Sequence, residues 1–186
     1  MVIYGEAGSG KTNIMLNMLL CSKPINSLYY ISTEGSIFLN RVLSLGISSE
    51  NILFSIALDQ DHLAHLIIDI IAMGRSPQAV FIDSINHFYR VESVDQRNIR
   101  MFLNILALLD VISYKSTYVI ASAQVKADEY GEIVAGYEYL SMWAECIAVI
   151  EKSSNRTRLL RFVKPPIDLK FKFLVTGNGI KWLTET

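Results

Sequence analysis

The chain predicts an α/β fold: a mostly parallel, twisted sheet flanked by helices, with an antiparallel extension toward its C-terminal end. Three observations predict it. Short apolar runs bounded by turn residues alternate with longer helical periods, the sequence form of parallel strands joined by crossover helices. Hydrophobic residues make up 51% of 186 positions in one continuous pattern, enough for a sizeable core, so a single domain over residues 1–186 is expected. Three strand-length runs after residue 144 have no helical segment between them, which implies antiparallel neighbours.

The elements follow in order. Val2, Ile3 and Tyr4 form a strand, and residues 11–21 an apolar helix ended by the Pro24 break. A strand over 28–32 leads to a helix over about 36–45, which Gly46 stops; residues 52–56 give a third strand. Leu63, Leu66, Ile67, Ile70 and Ile71 recur at helical spacing within 61–73, and Gly74 and Pro77 end that helix. Residues 79–82 read as a buried strand. A long helix over about 95–114 directs Ile99, Phe102, Leu103, Leu106, Leu109 and Val111 toward the sheet, before a strand over 117–123. The polar stretch 125–135 breaks the pattern. A short helix near 138–143 then precedes strands over 145–151, 158–163 and 170–175, and the turn at Asn178-Gly179 precedes a last strand over 180–183.

Composition narrows the function classes. A net charge of −1 excludes bulk polyelectrolyte binding, so any basic site must be local. Cys21 and Cys146 sit in apolar patterns where reduced, buried thiols are ordinary, which makes a cytoplasmic location the default. Asn13, Asn17, Lys23 and Pro24 interrupt the apolar N-terminal stretch, so it reads as neither signal peptide nor membrane span.

Gly5-Glu6-Ala7-Gly8-Ser9-Gly10-Lys11-Thr12 fits the phosphate-loop pattern G-x-x-x-x-G-K-[ST]. Its glycines let the backbone wrap a triphosphate with N–H groups pointing inward, Lys11 meets the β- and γ-phosphates, and the Thr12 hydroxyl meets Mg²⁺. The helix that begins there adds its N-terminal dipole, with Asn13 as the next contacting position. No guanine-reading Asn-Lys-x-Asp motif is present, so ATP is the expected nucleotide.

Hydrolysis further needs an acid to organise Mg²⁺ and a group to activate water. Asp83 ends an apolar strand, which in a parallel sheet places it beside the loop, where it can hold the metal through a water; a turn or helix-capping role is the alternative. Ser84 follows it, so an acidic pair at this strand end is absent. Glu34 ends the strand over 28–32 on the same edge and fits a general base, or a capping acid for the next helix. Gln124 ends the strand over 117–123 and can bond the γ-phosphate or its water, or satisfy loose backbone groups.

With these residues in view, the chain resembles the RecA-like recombinase ATPases, and within them the archaeal RadA and RadB paralogues. Four stretches carry the resemblance over nearly the whole chain: the phosphate loop, Tyr30-Ile31-Ser32-Thr33-Glu34-Gly35, Phe81-Ile82-Asp83-Ser84 and Ala121-Ser122-Ala123-Gln124-Val125. The resemblance implies a RecA-like P-loop fold and ATPase, with Glu34 as catalytic base, Lys11 serving catalysis, and Gln124 opening a mobile loop that couples ATP to DNA. It further implies a first DNA-binding region over 84–100, with Phe88, Tyr89, Arg90, Arg97 and Arg100, and a second over 125–135, with Lys126 and Tyr130. Edge packing is the alternative for Phe88 and Tyr89, and Asp128, Glu129 and Glu132 oppose Lys126 in charge.

Seven basic residues lie between Lys152 and Lys172 against Asp168 alone. By resemblance, Arg158 reaches the γ-phosphate of a neighbouring subunit and Pro165 or Pro166 covers that neighbour's adenine; solvated edge strands are the bland alternative. Only four residues precede the loop, where filament-forming recombinases carry an N-terminal domain and an anchoring linker. This suggests either a paralogue reduced to the ATPase core or a misassigned start. The expected function is an ATP·Mg²⁺-binding ATPase, slow when isolated, that modulates homologous recombination and DNA repair through single-stranded DNA or a RadA-type recombinase, alone or in a homo- or hetero-oligomer. A KaiC-like or archaellum-type regulatory ATPase that never touches DNA is the alternative.

Overall fold

The computed structural model describes residues 1–22, 26–48, 50–74, 76–91, 95–128, 131–153 and 156–183. Among these, strands and helices follow in the order β1 (Val2–Gly5), α1 (Lys11–Cys21), β2 (Leu28–Ser32), α2 (Ile37–Ser44), β3 (Ile52–Ile56), α3 (Gln60–Ala72), β4 (Ala79–Asp83), α4 (His87–Val91), α5 (Gln96–Ser113), β5 (Tyr118–Asp128), β6 (Gly131–Val134), α6 (Tyr137–Trp143), β7 (Ile147–Lys152), β8 (Arg158–Lys164), β9 (Lys170–Thr176) and β10 (Gly179–Leu183). The sheet runs β10-β9-β8-β7-β1-β5-β4-β2-β3. From β7 to β3 every neighbouring pair is parallel, and β8, β9 and β10 extend the sheet antiparallel. This is the RecA-like arrangement expected from the alternating pattern.

Helices cover both faces because the parallel strands are apolar on both. In β4, Val80 and Ile82 pack with Leu63 and Ile67 of α3 and Phe102 and Leu109 of α5. Their neighbours Ala79 and Phe81 pack with Met15, Leu16 and Leu19 of α1 and Phe38 and Val42 of α2. Successive residues of a strand face opposite sides, so one apolar run anchors two helical layers. Two acidic caps start the helices: the Asp59 carboxylate accepts from the His62 N–H and that of Asp95 from the Asn98 N–H, and the Gln60 and Asn98 side chains then join α3 to α5. No helix among the described residues is long and apolar enough to cross a membrane.

Three expectations change. The buried stripe of α5 is Phe102, Ile105, Leu106, Leu109 and Ile112, whereas Leu103 and Val111 are exposed. At about 100° per residue, Leu103 and Val111 point roughly 120° and 160° away from Leu109, outside the face that meets the sheet. Cys21 is exposed and Cys146 half-buried, and both are free thiols. Cys21 lies two residues beyond buried Leu19, on the far side of α1. The stretch 125–135 is no featureless loop: β5 continues to Asp128 and pairs antiparallel with β6, Val125 opposite Val134. A two-stranded ribbon satisfies its backbone hydrogen bonds without an apolar run, so polar composition hid it. Pro24, Glu129 and Tyr130 lie outside the described residues.

Candidate nucleotide site

The parallel strands end at one edge, where the predicted site assembles. Register brings the pieces together: Gly5 of β1 lies opposite Gln124 of β5 and Ile150 of β7, and Ser32 of β2 opposite Asp83 of β4. Beyond β1 the loop turns through Gly8 and Gly10, whose φ values of 70° and 103° are left-handed, and Gly10 caps α1. The turn aims the first N–H groups of α1 into a cleft of about 440 Å³. Lys11, Thr12, Asn13, Glu34, Asp83, Arg90 and Gln124 are among its lining residues.

Asp83 is the most constrained group there. It is 4% exposed, and three hydroxyls converge on its carboxylate. Thr12 Oγ1 and Tyr30 OH each donate to Oδ2 at 2.6 Å, and Ser122 Oγ donates to Oδ1. Ser122 and Tyr30 come from the strands flanking β4, so the sheet itself fixes the carboxylate. Burial, followed by the charge of Asp83 and its hydrogen bond, pushes the Tyr30 phenol well above its ordinary range. The peptide bond between Asp83 and Ser84 is cis, and the Thr33 hydroxyl donates to the Ser84 carbonyl at 2.8 Å, holding the turn after β4.

Lys11 is 7% exposed, and its ammonium donates to the Gly5 and Glu6 carbonyls at 2.7 and 2.9 Å. Desolvation pushes its pKa down, the charges of Asp83 and Glu34 pull it up, and those of Lys152 and Arg90 push it down again. Glu34 stands exposed at the cleft mouth, its backbone N–H donating to Ser32 Oγ at 3.2 Å. Gln124 is half-buried and clamped by Asn86: its N–H donates to Asn86 Oδ1 at 2.8 Å, and Asn86 Nδ2 donates back to its carbonyl at 2.9 Å. Asn13 accepts from Arg41 Nε at 2.7 Å.

The donor set suits a nucleotide with a hard cation. Thr12 and Asp83 offer only oxygen, Mg²⁺ prefers oxygen, and it characteristically takes one or two protein groups with phosphate and water. Among the described residues no three His, Cys, Asp or Glu side chains converge.

The residues expected to touch DNA or a neighbouring subunit are spread over α4, α5, β5 and the β8 edge. Tyr89 is 6% exposed, stacked on Phe102 at 4.7 Å and edged by Tyr139, so α4 uses it as an anchor and no base can reach it. Phe88 is half-buried against the same core. Arg90 points into the nucleotide cleft. Arg97, exposed on α5, pairs with Asp61 at 3.5 Å, and Arg100 is exposed beside it. Lys126 belongs to β5, opposite Ile133 of the ribbon.

Arg158 lies on its own loop, with Nη2 donating to the Gly8 carbonyl at 3.2 Å. The reason is topological: β7 is the direct neighbour of β1, so the paired ends Lys152 and Arg158 overhang the loop that leaves β1. Lys152 accordingly donates to the Ala7 carbonyl at 2.6 Å and pairs with Glu6 at 3.0 Å. Pro165 and Pro166 are exposed beyond the other end of β8, where Lys164 meets the start of β7, away from the loop.

Sequence reasoning missed Tyr30, Ser122, Asn86 and Lys152. The available signal was a hydroxyl within an otherwise apolar buried strand, which needs an acceptor to bond; nothing in spacing marked Asn86, and Lys152 stood only as one of seven clustered basic residues.

Comparison with known proteins agrees with the geometry. The chain matches no protein-family model. It is 32% identical to the DNA repair and recombination protein RadB of Methanococcus maripaludis, over 96% of this chain and 90% of that protein. Against the RadB of Methanocaldococcus jannaschii the identity is 27%, over 96% and 91% of the two chains. The DNA repair and recombination protein RadA of Metallosphaera sedula is also 27% identical, but the match spans 64% of its length. A RecA-like sheet, a phosphate loop facing a hydroxyl-bound aspartate, and this similarity along nearly the full RadB length lead to one assignment: the chain belongs to the RadB family of DNA repair and recombination proteins, paralogues of the RecA-like recombinases.

Proposed function

We propose that this protein binds ATP with Mg²⁺, hydrolyses it slowly, and uses the nucleotide state to modulate homologous recombination through single-stranded DNA or a RadA-type recombinase. One observation supports this most: Thr12 and Asp83 oxygens lie 2.6 Å apart at the head of the phosphate loop, with Lys11, Glu34 and Gln124 lining the same cleft. The loop N–H groups and Lys11 would hold the phosphates, and Thr12 and Asp83 would hold Mg²⁺, which would neutralise charge on the phosphate oxygens. Glu34 takes the proton of the attacking water, and Gln124 orients that water. Turnover is slow because Glu34 stands at an open mouth, where water screens the charges that stabilise a transition state. The DNA part of the proposal rests on exposed Arg97 and Arg100.

The test compares wild type with Lys11→Ala in hydrolysis, single-stranded DNA binding and RadA pull-down, each with and without ATP. Slow hydrolysis, stimulated by DNA or recombinase and lost in the variant, is expected, with DNA binding that weakens steeply as salt rises. Brisk, DNA-independent turnover by wild type, or partner binding indifferent to nucleotide, overturns it.

A further inference from the structure

We infer that Arg90 contacts the γ-phosphate from within the same chain, so that the site distinguishes ATP from ADP through α4. The inference rests on the ATP-binding reading and adds to it a residue first read as a DNA contact.

The geometry of α4 carries the argument. Tyr89 locks the short helix by stacking on Phe102, while the next residue but one, Val91, is exposed. Between them Arg90 lines the cleft together with Lys11, Glu34, Asp83 and Gln124. Its backbone N–H donates to the Asn86 carbonyl one turn earlier, and residues four apart share a helix face. Asn86 is the residue that clamps Gln124, so Arg90 leaves the helix on the side of the cleft where Gln124 and Glu34 stand. That is the γ-phosphate side, because the loop N–H groups enclose the inner phosphates.

Part of the guanidinium lacks a partner among the described residues. Its Nε is buried without a hydrogen-bond partner among the described residues, a costly state that an anionic ligand relieves. Arg158 Nε is likewise buried without a partner among the described residues, but its two Nη groups donate to the Arg156 and Gly8 carbonyls. After desolvation, the charges of Lys152 and Arg90 are what push the Lys11 ammonium down. Lys11 and Arg90 are thus like charges lining one cleft, an arrangement that favours an anion between them. A planar guanidinium, which forms paired hydrogen bonds with phosphate oxygens, suits that place better than an ammonium.

The test measures Mg²⁺-dependent binding of ADP and of the β,γ-imido analogue of ATP by calorimetry, for wild type, Arg90→Ala and Arg90→Lys. A lost charge-assisted contact predicts roughly ten- to hundredfold weaker analogue binding in Arg90→Ala, with ADP affinity changed less than about twofold. Arg90→Lys should recover part of the loss, which also shows that the effect is not misfolding, and neither variant should melt below wild type. Equal weakening of both nucleotides, no weakening of either, or loss of single-stranded DNA binding with nucleotide preference intact overturns the inference. If wild type binds neither nucleotide, the ATP reading falls with it; if wild type binds both and the variants behave like it, only Arg90's role falls.

Discussion

Removing one oxygen from Tyr30 isolates the buried hydrogen bond that holds Asp83. In Tyr30→Phe the ring remains, and so do its neighbours Phe38, Phe54 and Phe81, with centroids at 5.0, 5.9 and 6.3 Å. Only the donation to Asp83 Oδ2 at 2.6 Å is lost, and Thr12 and Ser122 still satisfy the carboxylate. A hydrogen bond to a charged group contributes about 1.5–3 kcal/mol. For a chain of this size each kcal/mol moves Tm by about 2–4 °C, so the melting temperature at pH 7 should fall by roughly 3–12 °C. The pH dependence separates this from a packing effect. Burial and then Asp83 raise the folded phenol above its ordinary value of 10.0, so its contribution is complete below pH 10 and declines as pH rises toward the folded value. The variant lacks that contribution, so the gap in stability between the two proteins should narrow above pH 10. Melting followed by circular dichroism from pH 7 to 11 measures it. Equal stability at pH 7, or a gap unchanged through pH 11, refutes the reasoning.

Two further outcomes follow from the loop. Because bound phosphate offsets the desolvation that lowers the Lys11 pKa, nucleotide binding should take up protons as pH approaches the ordinary lysine value of 10.5, and affinity should fall through that window; calorimetry in buffers of different ionisation enthalpy reads the uptake directly. Gly10→Ala places a Cβ 3.1 Å from Val175 Cγ2 at a φ of 103°, which should cost about 1–2 kcal/mol in a melting experiment and weaken nucleotide binding as well, because the same residue caps α1.

The parallel sheet was legible because its strands are buried on both faces and so are apolar throughout, as in Ala79–Asp83, while its helices keep one apolar stripe. Site residues at strand ends were legible for the same reason: a carboxylate or amide closing an apolar run can only stand at the sheet edge, which is where Glu34, Asp83 and Gln124 lie. Tertiary neighbours were not legible. The β5–β6 ribbon lacks an apolar signature, and the phase of α5 depends on which side the sheet lies, which a run containing both Leu103 and Leu106 leaves ambiguous.

Arg90 and Arg158 show why the direction of a basic side chain is the hardest thing to read. Each sits beside aromatic or basic neighbours in the sequence, a composition shared by nucleic-acid surfaces, subunit contacts and phosphate clefts. What decides among these is an adjacent constraint of a different kind. For Arg90 it is the burial of Tyr89, which fixes the rotation of a five-residue helix; for Arg158 it is the pairing of β7 with β1, which brings the start of β8 over the loop. Both constraints turn positive charge inward, so Lys11, Arg90, Lys152 and Arg158 of one chain surround the loop or line its cleft. A triphosphate entering there would meet cations already assembled within one chain.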